Sequence, residues 1–218
     1  MIDCADLIAI NIRLGRSEGV TKRMIMQTLL AIFAHPDDES HGPAGTLAKY
    51  AAEGAKVHYL CATRGEAGIV DSNRLEHGDS IADLRTAELK RAATALGMAS
   101  VSFLGYRDSG MVGSQDNHHP DSLCAASLDE VAGRIAEHIR RLRPDVIITH
   151  DQHGWYGHHD HIKCYAATLR AFELLYGFQL GDTEDCFFQI AIEDRSARDA
   201  AVRSRSPPPW AEQGHRPG

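Results

Sequence analysis

Two short segments concentrate the side chains that can do acid–base and metal chemistry. The first is Ala34-His35-Pro36-Asp37-Asp38-Glu39, with one imidazole and three carboxylates within five positions. It follows a continuous apolar run, so these groups stand at the C-terminal end of a buried strand. Pro36 fixes its own φ and disfavours helix at His35, which makes the turn stiff. A stiff turn can aim His35 and Asp38 at one cation while Asp37 faces elsewhere, which gives two ligands and one free base. In an ordinary polar turn, Asp37 or Asp38 would simply cap the next helix. So many carboxylates at a buried strand end are unfavourable without a cation, and metal chemistry is the better account.

The second segment runs from His150 to His161 as HDQHGWYGHHDH, and five of the thirteen histidines fall inside it. It also follows an apolar run. Two strand-end loops carrying His and Asp can converge in a parallel sheet, and His161 would add a third ligand from the first turn of a helix. His35, Asp38 and His161 leave the fourth tetrahedral position open to water, the pattern of a catalytic zinc site. Fe(II), Mn(II), Co(II) or Ni(II) could occupy the same donors. His158 and Asp160 are then spare. An aspartate beside a non-ligating histidine can orient it and raise its pKa, making it a donor to an oxyanion. A His-rich loop alone is as easily a solvated surface; its pairing with the first segment decides the reading. His153, His159, His118 and His119 read as surface residues and His58 as core or sheet edge, while His41 is close enough to the site to stay open.

The elements that must position these loops alternate. Strands are predicted at Met24–Ala34, Lys56–Thr63, Val101–Leu104, Val146–Thr149 and Phe187–Ile192. Helices are predicted at Ala44–Glu53, Ser80–Gly97, Ser127–Arg143 and Asp160–Leu175. Ser127 and Glu130 have capping-box spacing, and Val131, Ile135, Ile139 and Leu142 form an apolar stripe. This order predicts an α/β fold, a three-layer Rossmann-like domain with a mostly parallel central sheet and helices on both faces. Ligands in such sheets bind beyond the carboxyl ends of the strands. The domain is expected over residues 24–192, after an N-terminal extension (1–23) and before an irregular tail (193–218). Met24 or Met26 could be the true start. The long loop Gly105–Asp121 is expected to be functional or mobile.

A chain of 218 residues suffices for one such domain. Its net charge of −7 argues against nucleic acid or an anionic membrane as partner. No apolar run is long enough to span a bilayer, and residues 1–23 lack the pattern of a signal peptide, so a cytoplasmic location is expected. Five scattered cysteines without a C-x-x-C pair suit a reduced compartment. Cys61 and Cys186 read as core filler, and Cys164 stands three positions after His161. A homo-oligomer stays open.

The ordered motifs AHPDDE (34–39) and GHHDH (157–161) resemble those of the PIG-L/LmbE-like N-deacetylases. These are zinc enzymes that include deacetylases of N-acetylglucosaminyl compounds. Between the two motifs, Thr63-Arg64-Gly65-Glu66-Ala67-Gly68, Arg85 with Glu88, and Leu104–Met111 with Asn117 and Pro120 also resemble the family pattern. The resemblance covers about Leu29 to Leu175. It implies His35, Asp38 and His161 as zinc ligands and Asp37 as general base. It implies His158 as oxyanion stabiliser, held by Asp160, and Tyr156 as a residue polarising the substrate carbonyl. Arg64 and Asp108 match positions that hold the sugar, although by themselves they could be a loop ion pair. His159 stands where the family usually has proline, and the RSRSPPPW stretch departs from the regular structure expected there.

The expected reaction is metal-assisted hydrolysis of an N-acetyl group on a small amino-sugar compound. The alternatives are a catalytically impaired metal- or glycan-binding homologue, a non-haem Fe(II) oxygenase using a two-His, one-carboxylate triad, and an HD-type phosphohydrolase. The oxygenase triad is typical of all-β barrels and the HD motif of helical domains, whereas this chain alternates strands and helices.

Overall fold

The structure is a computed structural model that describes residues 7–11, 28–75 and 78–176. Strand β2 (Thr28–Phe33) explains the arrangement of the rest. Its six residues are apolar from Leu29 onward, so both faces need cover. Leu30 and Ile32 enter one core with Leu60, Ile147, Val131, Ile135, Ile139 and Phe172. Leu29, Ala31 and Phe33 enter a second core on the opposite face with Val57, Tyr59, Leu47 and Leu89. The two cores make this a three-layer α/β domain.

In chain order, β1 is Leu7–Asn11, α1 is Asp38–His41 and α2 is Ala44–Ala52. These are followed by β3 (Lys56–Cys61), α3 (Ile81–Ala95), β4 (Ser100–Phe103) and α4 (Leu128–Leu142). The last described elements are β5 (Val146–His150), α5 (Gly154–Gly157) and α6 (His159–Tyr176). The sheet order is β1-β5-β2-β3-β4. Strands β5, β2, β3 and β4 are parallel, with Leu29 opposite Val57 on one side and Val146 on the other. Leu47 of α2 and Leu89 of α3 cover one face; α4 and α6 cover the other.

Local sequence sets the helix limits. The Ser80 side chain accepts from the Asp83 N–H, and the Asp83 carboxylate accepts in return, which starts α3. Ser127 caps α4 by accepting from the Glu130 N–H. Arg143 ends that helix in a left-handed conformation just before Pro144.

The mostly parallel sheet predicted from the alternation is present. One strand within it was not anticipated. Residues 7–11, inside the stretch read as an N-terminal extension, form β1 and pair antiparallel with β5, Leu7 opposite His150 and Asn11 opposite Val146. Five residues between acidic and basic neighbours give too short a pattern to announce a strand. The loop 105–121 is pinned rather than loose: the Asn117 amide donates to the Ser109 and Met111 carbonyls, and the Cys124 N–H donates to Ser109 Oγ. Residues 24–27, the strand expected at 187–192, Cys186 and the tail 193–218 lie outside the described residues. No helix among those described is long and apolar enough to cross a membrane.

Candidate metal and catalytic centre

The chain leaves β2 towards β3 on one side, while β5 joins β2 on the other. The loops beyond these two strands therefore part, and the crevice between them is where doubly wound sheets bind ligands. His35 stands two residues beyond β2, His150 ends β5, and His161 lies in the first turn of α6. All three are buried, as are Asp38, His158 and Asp160.

His35, Asp38 and His161, the predicted metal ligands, are brought together. His35 Nδ1 is 3.2 Å from His161 Nε2, and His161 Nε2 is 3.4 Å from Asp38 Oδ1. His35 Nδ1 is 3.7 Å from Asp38 Oδ2. Donors about 2.0–2.2 Å from a tetrahedral ion are separated by roughly 3.3–3.6 Å. Among the described residues, the donor groups compact enough for one ion are His35 with His158 and His161, Asp38 with His150 and His161, and His35 with Asp108 and Asp160, so the three predicted ligands are shared between overlapping groups. Asp38 Oδ2 accepts from the Ala34 and His35 N–H groups at 3.1 and 2.8 Å, which leaves Oδ1 turned to His161. Burial works against the Asp38 carboxylate, but His161, His150 and His35 outweigh it and hold the group ionised far below the usual carboxylate range. Burial and the neighbouring His150 push His161 down to about 2, so it is a neutral imidazole with a free lone pair.

On its other edge, His35 Nε2 is 3.1 Å from Asp160 Oδ2 and 3.4 Å from Asp108 Oδ1. Burial lowers the His35 pKa, but the hydrogen bonds to Asp108 and Asp160 raise it well above the ordinary value. A carboxylate behind a ring keeps a proton on Nε2, so Nδ1 is the nitrogen left for a ligand once the ring gives up its other proton. The Asp160 carboxylate bonds His35 and also accepts from the Ser109 N–H at 2.9 Å, while the Asp160 backbone N–H is what reaches His158. Asp108 likewise faces His35 and accepts from the Gly110 N–H.

His158 Nδ1 accepts from the backbone N–H of Asp160 at 3.1 Å. Its pKa is not raised, as expected from the sequence, but lowered to about 4, by burial first and by His35 second. A neutral ring whose Nδ1 accepts must carry its proton on Nε2, so His158 remains a donor without being charged. The Tyr156 ring lies edge-on to the rings of His158 and His161, with centroids 5.9 and 5.4 Å away. Tyr156 is 58% exposed, which places it at the mouth of the crevice.

The Arg85 guanidinium of α3 pairs with the Asp37 carboxylate. Burial and the Asp38 charge push the Asp37 pKa up, against Arg85 and His35. Its backbone is strained, with φ 120° and ψ −25°, a conformation that costs a non-glycine residue about 1–3 kcal/mol. Arg64, the arginine expected at the sugar, turns instead onto α3, where it pairs with Asp83 at 2.7 Å and donates to Thr86. It opens onto a separate pocket of about 630 Å³ shared with Glu66, Arg107 and Arg134, whose walls include none of the three predicted ligands.

Two residues near the centre had no role from the sequence. Arg85 was visible only as part of a helix pattern. His150 is fully buried, stacks on His161 with centroids 3.9 Å apart, and places Nε2 3.3 Å from Asp38 Oδ2. A histidine closing the apolar run VIIT was its only signal. His41 touches the site through the Asp37 carbonyl. Cys164 belongs to the apolar core, and His58 pairs with Ser100 across β3 and β4.

A model of the PIG-L family, described as GlcNAc-PI de-N-acetylase, matches residues 30–172. A 1D-myo-inositol 2-acetamido-2-deoxy-alpha-D-glucopyranoside deacetylase of Thermomonospora curvata is 46% identical over 155 residues, 67% of this chain and 52% of that protein. The protein of the same name from Kineococcus radiotolerans is 46% identical over 164 residues, 68% of this chain and 45% of that one. The chain spans about half the length of the curated relatives it matches. Among solved structures, the N,N'-diacetylchitobiose deacetylase from Pyrococcus horikoshii aligns with a TM-score of 0.51 at 25% identity, covering 67% of this chain and 49% of that one. The family match takes in both motif loops and the crevice between β2 and β5, and this chain belongs to the PIG-L, GlcNAc-PI de-N-acetylase, family.

Proposed function

We propose that the chain hydrolyses the N-acetyl group of a small amino-sugar conjugate, using zinc held by His35, Asp38 and His161. The observation that carries this reading is the buried cluster in which His161 Nε2 lies 3.2 Å from His35 Nδ1 and 3.4 Å from Asp38 Oδ1. Zinc bound there supplies Lewis acidity that polarises a carbonyl and acidifies a water molecule.

The other tasks fall to this chain's own side chains. Asp37 takes the proton of the attacking water, a role helped by burial that raises its pKa. His158 donates through Nε2–H to the oxygen that gains charge, and the Tyr156 hydroxyl at the crevice mouth reaches the same carbonyl. The proton on Asp37 then passes to the leaving nitrogen, giving acetate and a free amine. Neutral His158 suits donation to an oxyanion better than a second base role, because its low pKa disfavours proton uptake.

The names of these relatives specify an acetamido sugar on inositol, so an N-acetylglucosaminyl polyol is the substrate to try first. Metal-loaded and chelator-stripped protein are incubated with N-acetylglucosaminyl-inositol, N-acetylglucosamine and N,N'-diacetylchitobiose, and new primary amines and acetate are counted. Equal amounts of both products, lost on stripping and in Asp37→Ala that still binds metal, support the proposal. Ligand binding with no product in the metal-loaded protein, or full turnover in Asp37→Ala, overturns it.

A further inference from the structure

We propose that Glu39 is a positioning residue that holds the strained backbone of Asp37, and so sets where the Asp37 carboxylate points. The inference rests on the reading of Asp37 as general base. Asp37 has φ 120°, where an L residue stays only if its surroundings hold it. Its N–H donates to Glu39 Oε2 at 2.9 Å. Its carbonyl accepts from the Ser40 N–H at 2.8 Å, the His41 N–H at 3.2 Å and His41 Nδ1 at 2.9 Å. Arg85 takes the carboxylate and also donates to the Pro36 carbonyl at 2.5 Å.

Of these contacts, only the one from Glu39 reaches the Asp37 N–H. Glu39 is 2% exposed, and its other oxygen accepts from Ser40 Oγ at 2.6 Å, so both oxygens have fixed partners. A role for Glu39 as an acid at a helix start would be weak, because α1 has only four residues. The strain also has a purpose. Asp38 is locked by the Ala34 and His35 amides, and two consecutive carboxylates must face different ways if one is a ligand and its neighbour a base. The unusual φ at Asp37 makes that divergence.

Glu39→Met keeps the length of the side chain and removes the acceptor; Glu39→Gln keeps an acceptor. Each full-length variant is loaded with zinc. We measure kcat and KM with an N-acetyl amino sugar, metal content, and hydrogen exchange of the Asp37 amide by NMR. Glu39→Met is expected to lower kcat by about 10- to 100-fold with KM and metal content nearly unchanged. Asp37 amide exchange should quicken in that variant, and Glu39→Gln should restore both readings. A Glu39→Met protein with wild-type kcat and a slowly exchanging Asp37 amide overturns the proposal, as does a Glu39→Gln protein that fails as badly as Glu39→Met.

Should Glu39→Met unfold, the same change is made in an Asp37→Gly background, where the backbone strain is gone. A smaller fall in melting temperature there supports the hold on Asp37, and an equal fall overturns it. Full activity in Asp37→Ala would sink the general-base reading, while the amide exchange would still report whether Glu39 holds residue 37.

Discussion

The Asp160 carboxylate lies 3.1 Å from His35 Nε2, on the opposite edge of the ring from the nitrogen that faces His161. This relation makes Asp160 a support for the proposed ligand His35. Asp160→Ala is expected to weaken metal binding by about 10- to 100-fold while leaving all three donors in the chain. Competition against a chromophoric chelator measures this, and unchanged affinity would refute the assignment.

Metal uptake should release a proton. The Asp108 and Asp160 hydrogen bonds raise the His35 pKa despite its burial, so the metal-free ring keeps two protons over a wider pH range than an ordinary histidine. A ligating ring needs Nδ1 free, so one proton must leave. Affinity is therefore expected to fall as pH falls. Calorimetry in buffers of different ionisation enthalpy should show proton release of up to about one per ion near neutrality; a pH-independent affinity would contradict this.

The two candidate arginines should behave differently. Arg85 pairs with Asp37, whereas Arg64 pairs with the exposed Asp83. Arg85→Ala is expected to cost about 10-fold or more in kcat, because it frees the carboxylate of Asp37, the proposed base. Arg64→Ala should leave kcat within about 3-fold, the scale of an exposed ion pair. Steady-state kinetics on both variants decide the matter, and the reverse order would restore Arg64 to the site.

Gly154 tests the second loop. It has φ +60°, and an added Cβ would sit 2.7 Å from Ile162 Cγ1 and 3.0 Å from the Cβ of the proposed ligand His161. Gly154→Ala is expected to lower metal occupancy without removing any donor. Gly133 of α4 is the control, with nothing within 4 Å of an added Cβ. Gly133→Ala should stabilise the fold by about 0.5–1 kcal/mol, seen as a higher denaturation midpoint with metal binding intact.

What the sequence made legible follows from what is local. Buried strands, amphipathic helices and the AHPDDE and GHHDH loops depend on neighbours within a few residues, and α4 with its Ser127 cap appears where the pattern put it. The convergence of residues 35 and 161 followed from parallel topology. What was missed depends on side-chain directions set by distant elements. Asp160 is two positions from His158, yet its carboxylate reaches His35 across 125 positions. Arg64 and Arg85 both belong to motif-like stretches, and only the packing of α3 beside the Pro36–Asp37 turn separates them. His158 looked like a group its aspartate would keep charged; its burial and the neighbouring His35 could not be read from spacing.

His35 and His161 stand 126 positions apart, one on the turn after β2 and the other in the first turn of the helix that follows the adjacent parallel strand β5. An ion gripping both would act as a detachable clasp between the opening and the closing of the described fold, confining the long intervening stretch of chain. Such closure restricts the unfolded ensemble in the manner of a reversible cross-link. Chelation should therefore loosen the seam between β2 and β5 ahead of the β3–β4 side, so protease nicking near the two motif loops would be the earliest trace of metal starvation.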